Sequence, residues 1–155
     1  MLRTPISADL LRDPVHLLAL GFGAGLARFA PGTVGTAVGV ALYLALQSLP
    51  LTGYLVIVAV LFGVGVWLCQ QTAISLGVQD DPAIVWDEIV GYLITMIGAP
   101  AGYGWIALGF LLFRVFDVTK PWPVGMVDNK IKGGVGIMLD DALAGLYACI
   151  ILVLF

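Results

Sequence analysis

FRVFDVTKPWPVGMVDNKIKGGVGIMLDD, residues 113–141, holds four acids and four bases, in a chain of 155 residues with only 11% charged residues. Arg114, Asp117 and Lys120 come first, then Asp128, Lys130 and Lys132, then Asp140 and Asp141. The flanking segments are strongly apolar. So many ionisable groups between two apolar segments call for a chemical reason, and the rest of the chain supplies its context.

Hydrophobic residues make up 61% of the chain and the mean hydropathy is +1.06, far from soluble averages. The uncharged run 30–79 is long enough for two crossings, since one helical crossing takes about 20 residues. The expectation is one domain over 1–155, an all-α integral membrane helical bundle of about five apolar helices. A net charge of −3 implies no particular partner, and no Lys/Arg run suggests nucleic acid. Cys69 and Cys149 sit in apolar segments as small hydrophobes and fix no redox compartment.

The segment boundaries follow from the breakers. Residues 1–13 form a short polar lead with Arg3, Asp9, Arg12 and Asp13. Residues 14–27 read as a short N-terminal helix at the interface. Pro50-Leu51-Thr52 separates the apolar arms 34–49 and 53–69, each roughly 25 Å long as a helix. Residues 70–83 read as a polar connector ending in Asp80-Asp81-Pro82, a solvated loop or cap. Gly98, Pro100, Gly102 and Gly104 then split the uncharged run 89–113 into two helices.

If the segments 34–49, 53–69, 84–98, 104–117 and 141–155 each cross once, the turns at 50–52 and 99–103 share one side and carry no charge. All seven Lys and Arg fall on the other side, which the positive-inside rule makes cytoplasmic. The segments were drawn without this pattern, so it supports them.

That face gathers Asp87, Glu88, Asp117, Asp140 and Asp141, with Arg28, Arg114, Lys120 and Lys132 interspersed. Acids inside an apolar helix are costly and are functional candidates within a membrane. Converging carboxylates repel one another and need a cation. Oxygen ligands favour Mg²⁺ or Mn²⁺ over zinc, and the only histidine is His16. Carboxylate-held cations beside Arg and Lys suit phosphate esters. The stretch 28–36, RFAPGTVGT, adds Thr33 and Thr36 at a helix start, where free N–H groups would suit an anion. Gly133, Gly134 and Gly136 read as a flexible loop that could bring N–H groups to a phosphate, and Asp140-Asp141 as the opening of the last helix.

Three blocks, GFGAGLARFAPGTVGT, IVWDEIVGYLITM and FRVFDVTKPWPVGMVDNKIKGGVGIMLDDALAG, resemble the signature blocks of the phosphatidylglycerophosphatase A family. The resemblance covers about residues 21–145. It departs from the family at Arg28-Phe29, where a Ser-Pro-like pair is expected, and at Lys132, where His is common. The resemblance implies an Mg²⁺-dependent lipid phosphatase of the bacterial inner membrane. The implied reaction takes phosphatidylglycerophosphate to phosphatidylglycerol and inorganic phosphate. Asp87, Glu88, Asp117, Asp140 and Asp141 would hold the metal and activate water. Arg114, Lys120, Lys132, Arg28, Thr33 and Thr36 would contact phosphate. The implied protein is multi-pass with its site facing the cytoplasm, and a homo-oligomer stays open. The rival reading is a small ion or proton transporter built on the same acids.

Overall fold

The computed structural model describes residues 6–155; Arg3 of the polar lead lies outside the described residues. The described residues form seven α-helices: α1 (Pro14–Ala19), α2 (Pro31–Leu46), α3 (Leu51–Leu76), α4 (Trp86–Thr95), α5 (Tyr103–Thr119), α6 (Val124–Lys130) and α7 (Gly133–Leu154). Two 3₁₀ segments, Ala8–Arg12 and Gly21–Leu26, complete the set, and there is no strand among the described residues.

The expected N-terminal helix over 14–27 is broken. Helix α1 stops at Ala19, and Phe22 and Gly23 take non-helical backbone angles within the following 3₁₀ segment. The second arm runs further than its apolar pattern, because α3 continues through Gln70 and Gln71 to Leu76. Its end is set by Gly77 in the left-handed conformation, where a Cβ would be strained. The polar connector is correspondingly shorter. Asp140 and Asp141 do not open the last helix: α7 begins at Gly133, so both acids lie about two turns inside it.

Each of the five apolar segments is largely helical, but their lengths differ. Helices α3 and α7 are long and apolar enough to cross a membrane. Helix α2 is apolar but has 16 residues. Helix α4, with 10 residues, is about 15 Å long, half of a hydrocarbon core of about 30 Å. Five full crossings are therefore supported more weakly than the sequence suggests.

Helix α4 is the centre of the bundle. It packs against α7 most extensively, and also against α2, α3 and α5. Its burial on nearly every side explains the near-continuous apolar run 89–97. One cluster joins Ile89 and Val90 of α4 to Leu68 of α3 and Met138 of α7. A second joins Tyr92 and Leu93 to Tyr43, Tyr54 and Phe113. The Tyr54 hydroxyl donates to the Leu93 carbonyl at 2.6 Å, so the phenol is satisfied inside the apolar layer.

Helices α4 and α7 touch backbone to backbone. A Cβ on Gly145 would stand 2.3 Å from the Gly91 carbonyl oxygen, and one on Gly91 would stand 2.9 Å from the Asp141 carbonyl oxygen. Small residues allow this approach, as in membrane helix pairs generally. The α2–α3 connection and the end of α4 meet at one end of the bundle. There Gln47, Leu49 and Leu51 share a cavity with Met96, Gly98 and Ala99, and none of these is charged.

Candidate active site

The opposite end holds the charged residues. Asp87 and Glu88 occupy the first turn of α4, and α7 brings Asp141 beside them. One carboxylate oxygen from each of the three lies within 4.8 Å of the others. Asp87 and Asp141 are buried, and Asp87 Oδ1, Glu88 Oε2 and Asp141 Oδ2 accept no hydrogen bond. Buried charge without a partner is costly, so three residues that each carry such an oxygen and whose carboxylates converge could together hold a cation. The all-oxygen donor set fits a hard divalent ion rather than a thiophilic one.

Two cations flank the cluster. Arg114 of α5 hydrogen-bonds Asp117 one turn along the same helix, and its Nη1 lies 3.9 Å from Glu88 Oε1. Lys120, just past the end of α5, reaches Asp140 Oδ2 at 2.6 Å and Asp128 Oδ1 at 2.9 Å. Burial alone would lower the Lys120 pKa, but its hydrogen bonds to Asp140 and Asp128 outweigh that and raise it. Lys120 thus ties α6 and α7 to the end of α5.

All of these groups except Asp128 line one cleft of about 330 Å³. Its lining also includes Ala30, Pro31 and Gly32 at the start of α2, Pro82 and Ile84, and Val118 of α5. Gly32 is there for a steric reason. A Cβ would stand 2.3 Å from Glu88 Oε1 and 3.1 Å from Arg114 Nη1. Helix α2 has no side-chain cap, so the N–H of Gly32 in its first turn has no helical acceptor.

The structure brings Asp87, Glu88, Asp117, Asp140, Asp141, Arg114 and Lys120 into this cleft, as the sequence suggests. The remaining phosphate candidates stand outside its lining. Thr36 is fully buried and its hydroxyl donates to the Gly32 carbonyl at 2.8 Å. Thr33 is half-buried and Arg28 exposed, without lining the cleft. Lys132 lines a neighbouring cavity with Asp128 and Asn129, and its Nζ approaches the Asp128 carbonyl at 3.4 Å.

The glycine cluster is not a loop around a phosphate. A Cβ on Gly134 would stand 1.9 Å from the Val66 carbonyl oxygen, and one on Gly136 2.0 Å from that of Ile131. These glycines let α7 lie against α3 and against the end of α6. The sequence reading missed Gly32 and Asp80 as cleft-lining residues. Gly32 had a signal, its place between Pro31 and Thr33 at a helix start. Asp80 had none, because an acid beside Asp81 and Pro82 reads as a solvated turn.

The phosphatidylglycerophosphatase A family model matches residues 17–155. The chain belongs to the phosphatidylglycerophosphatase A family. The Escherichia coli (strain K12) phosphatidylglycerophosphatase A is 42% identical over 143 residues, covering 92% of this chain and 83% of that protein. The Haemophilus influenzae phosphatidylglycerophosphatase A is 44% identical over 149 residues, covering 95% and 91%. A Bacteroides thetaiotaomicron protein, provisionally named a phosphatidylinositol-3-phosphatase, is 37% identical over 144 residues, covering 88% and 89%. No solved structure matches the chain. Family membership makes the chain a phosphatase, and the cleft is where its ionisable side chains converge.

Proposed function

We propose that the chain is an Mg²⁺-dependent lipid phosphatase of the bacterial inner membrane. It hydrolyses phosphatidylglycerophosphate to phosphatidylglycerol and inorganic phosphate, with the cleft facing the cytoplasm. The observation that carries this reading is the trio of unpartnered carboxylate oxygens on Asp87, Glu88 and Asp141 beside Arg114 and Lys120.

Asp87, Glu88 and Asp141 hold the ion, with Asp117 and Asp140 at the edge of the set. Mg²⁺ bound there supplies Lewis-acid charge to the phosphoryl oxygens. Arg114 and Lys120 neutralise the remaining charge, which spreads over those oxygens as the ester bond loosens. The Gly32 N–H offers one further donor. A carboxylate of the cluster takes the proton of the attacking water. The water oxygen bonds to phosphorus as the phosphorus–oxygen ester bond breaks, and the lipid alkoxide leaves as an alcohol with the proton that the carboxylate took up, freeing inorganic phosphate. Burial of the carboxylates keeps bulk water from screening these charges.

Phosphate release by purified protein in detergent tests the reading. Release from phosphatidylglycerophosphate that requires Mg²⁺ supports it, and no release with Mg²⁺ present refutes it. A phosphatidylinositol 3-phosphate arm separates the two activities carried by the relatives' names.

A further inference from the structure

We propose that the acyl chains of the substrate lie in the seam between α2 and α5, so the lipid phosphate enters the cleft sideways from the bilayer past Val118. The inference rests on the lipid phosphatase reading above. It adds the route and the side chains that receive the lipid.

The two faces of α5 carry the first observation. Arg114 and Asp117 turn toward the cluster, while Ala107, Leu111, Val115 and Val118 form an adjoining exposed stripe at i, i+4, i+8 and i+11. Val118 is 70% exposed and also lines the cleft, so the stripe runs into the site. Helix α2 carries an exposed apolar stripe of its own, Val34, Ala37, Ala41 and Leu44. The two helices touch, and the start of α2 and the end of α5 line the same cleft. They therefore run antiparallel away from the cleft with both apolar stripes open. Phe29, 87% exposed, immediately precedes Ala30 of the cleft lining.

The length fits one leaflet. From Ala107 to Val118 is about 16 Å along a helix, close to half of a hydrocarbon core of about 30 Å. Lipid surrounds other exposed faces too, but they do not lead to the cleft. Val56, Val60 and Val64 of α3 are exposed, and α3 contributes no residue to the cleft lining. On α7 Val135 is exposed before the acids and Leu146, Ile150 and Val153 beyond them, and none of the four lines the cleft. A headgroup phosphate drawn to Arg114 and Lys120 leaves its chains beside Val118, Val115 and Leu111. Exposed apolar surface is favourable there because acyl chains cover it.

The test uses a phosphonate analogue of phosphatidylglycerophosphate, with a non-hydrolysable P–C bond and a diazirine on an acyl chain, in liposomes with Mg²⁺. Photolabel on α2 and α5 that unlabelled phosphatidylglycerophosphate displaces, and phosphatidylcholine does not, supports the seam. Label on α3 should resist both. Kinetics supply a second readout. Val115→Trp, which fills the seam, should raise KM at least fivefold with kcat within twofold, while Val60→Trp changes neither. Displaceable label spread evenly over α3 and α5, or Val115→Trp matching Val60→Trp, overturns the proposal. Displaceable labelling of the seam without phosphate release would keep the route and refute the phosphatase reading.

Discussion

Asp87 and Asp141 each stand one helical turn before a glycine, Gly91 and Gly145, and those glycines bring the backbones of α4 and α7 into contact. The two acids are therefore neighbours because of main-chain packing, and the helices run parallel where they meet. Asp87→Asn and Asp141→Asn should each reduce phosphate release at least 10²-fold. Without divalent ions these variants should match or exceed the wild-type Tm, because like-charge repulsion is relieved. Wild type should gain about 2.7 kcal/mol at an Mg²⁺ concentration 100 times Kd, and the variants should lose that gain. Thermal unfolding with an Mg²⁺ titration reads both effects. A retained Mg²⁺ shift in both variants would remove them from the ion site.

Gly32→Ala places a methyl group against Glu88 and Arg114. Activity should fall at least tenfold with a modest drop in Tm, since Glu88 can yield only by leaving the cluster. Gly63→Ala is the control, because nothing lies within 4 Å of its added Cβ. It should preserve activity and stabilise by up to about 1 kcal/mol through helix propensity. Equal losses in both variants would argue against a special role for Gly32.

Lys120 and Asp140 form a pair whose removal should be non-additive. Lys120→Met leaves Asp140 buried without its cation and should cost about 1–3 kcal/mol. Adding Asp140→Asn should recover part of that loss, measured by a double-mutant cycle in detergent. The sign of the pH effect follows from the raised Lys120 pKa. Its contribution is fully present below the ordinary lysine range and is lost as pH rises through the folded value. The wild type's advantage over Lys120→Met should therefore hold through neutral pH and shrink in strong alkali.

Gly134→Ala should destabilise rather than selectively disable. Its Cβ would meet the Val66 backbone at 1.9 Å, so α7 must move from α3. Expression and Tm should fall. A fully stable variant with weakened phosphate affinity would instead restore the phosphate-loop reading of this segment.

The carboxylates and the two central cations were legible in the sequence because charge is rare in so apolar a chain. The glycines misled for the opposite reason. Gly133, Gly134 and Gly136 have the composition of a loop, yet each permits a close helix approach that depends on Gln70, Val66 or Ile131, which sequence order does not display. Thr36 had the right chemistry but the wrong face of α2, turned inward to the Gly32 carbonyl. The five crossings find support in only two helices, α3 and α7, that are long and apolar enough to span, for a similar reason. Helix α4 is apolar because protein surrounds it, and hydropathy does not separate burial in protein from burial in lipid.

The glycine contact between α4 and α7 also acts as a calibrated gap. Because Gly91 and Gly145 already bring the two main chains together, Asp87 and Asp141 cannot draw closer by sliding the helices, and any separation would open the packed layer beneath them. In the proposed ion site, the backbone contact would therefore limit how far Asp87 and Asp141 can move toward or away from each other with their helices. A larger ion such as Ca²⁺, which prefers oxygen ligands at 2.3–2.6 Å rather than the roughly 2.1 Å of Mg²⁺, would have to strain that gap.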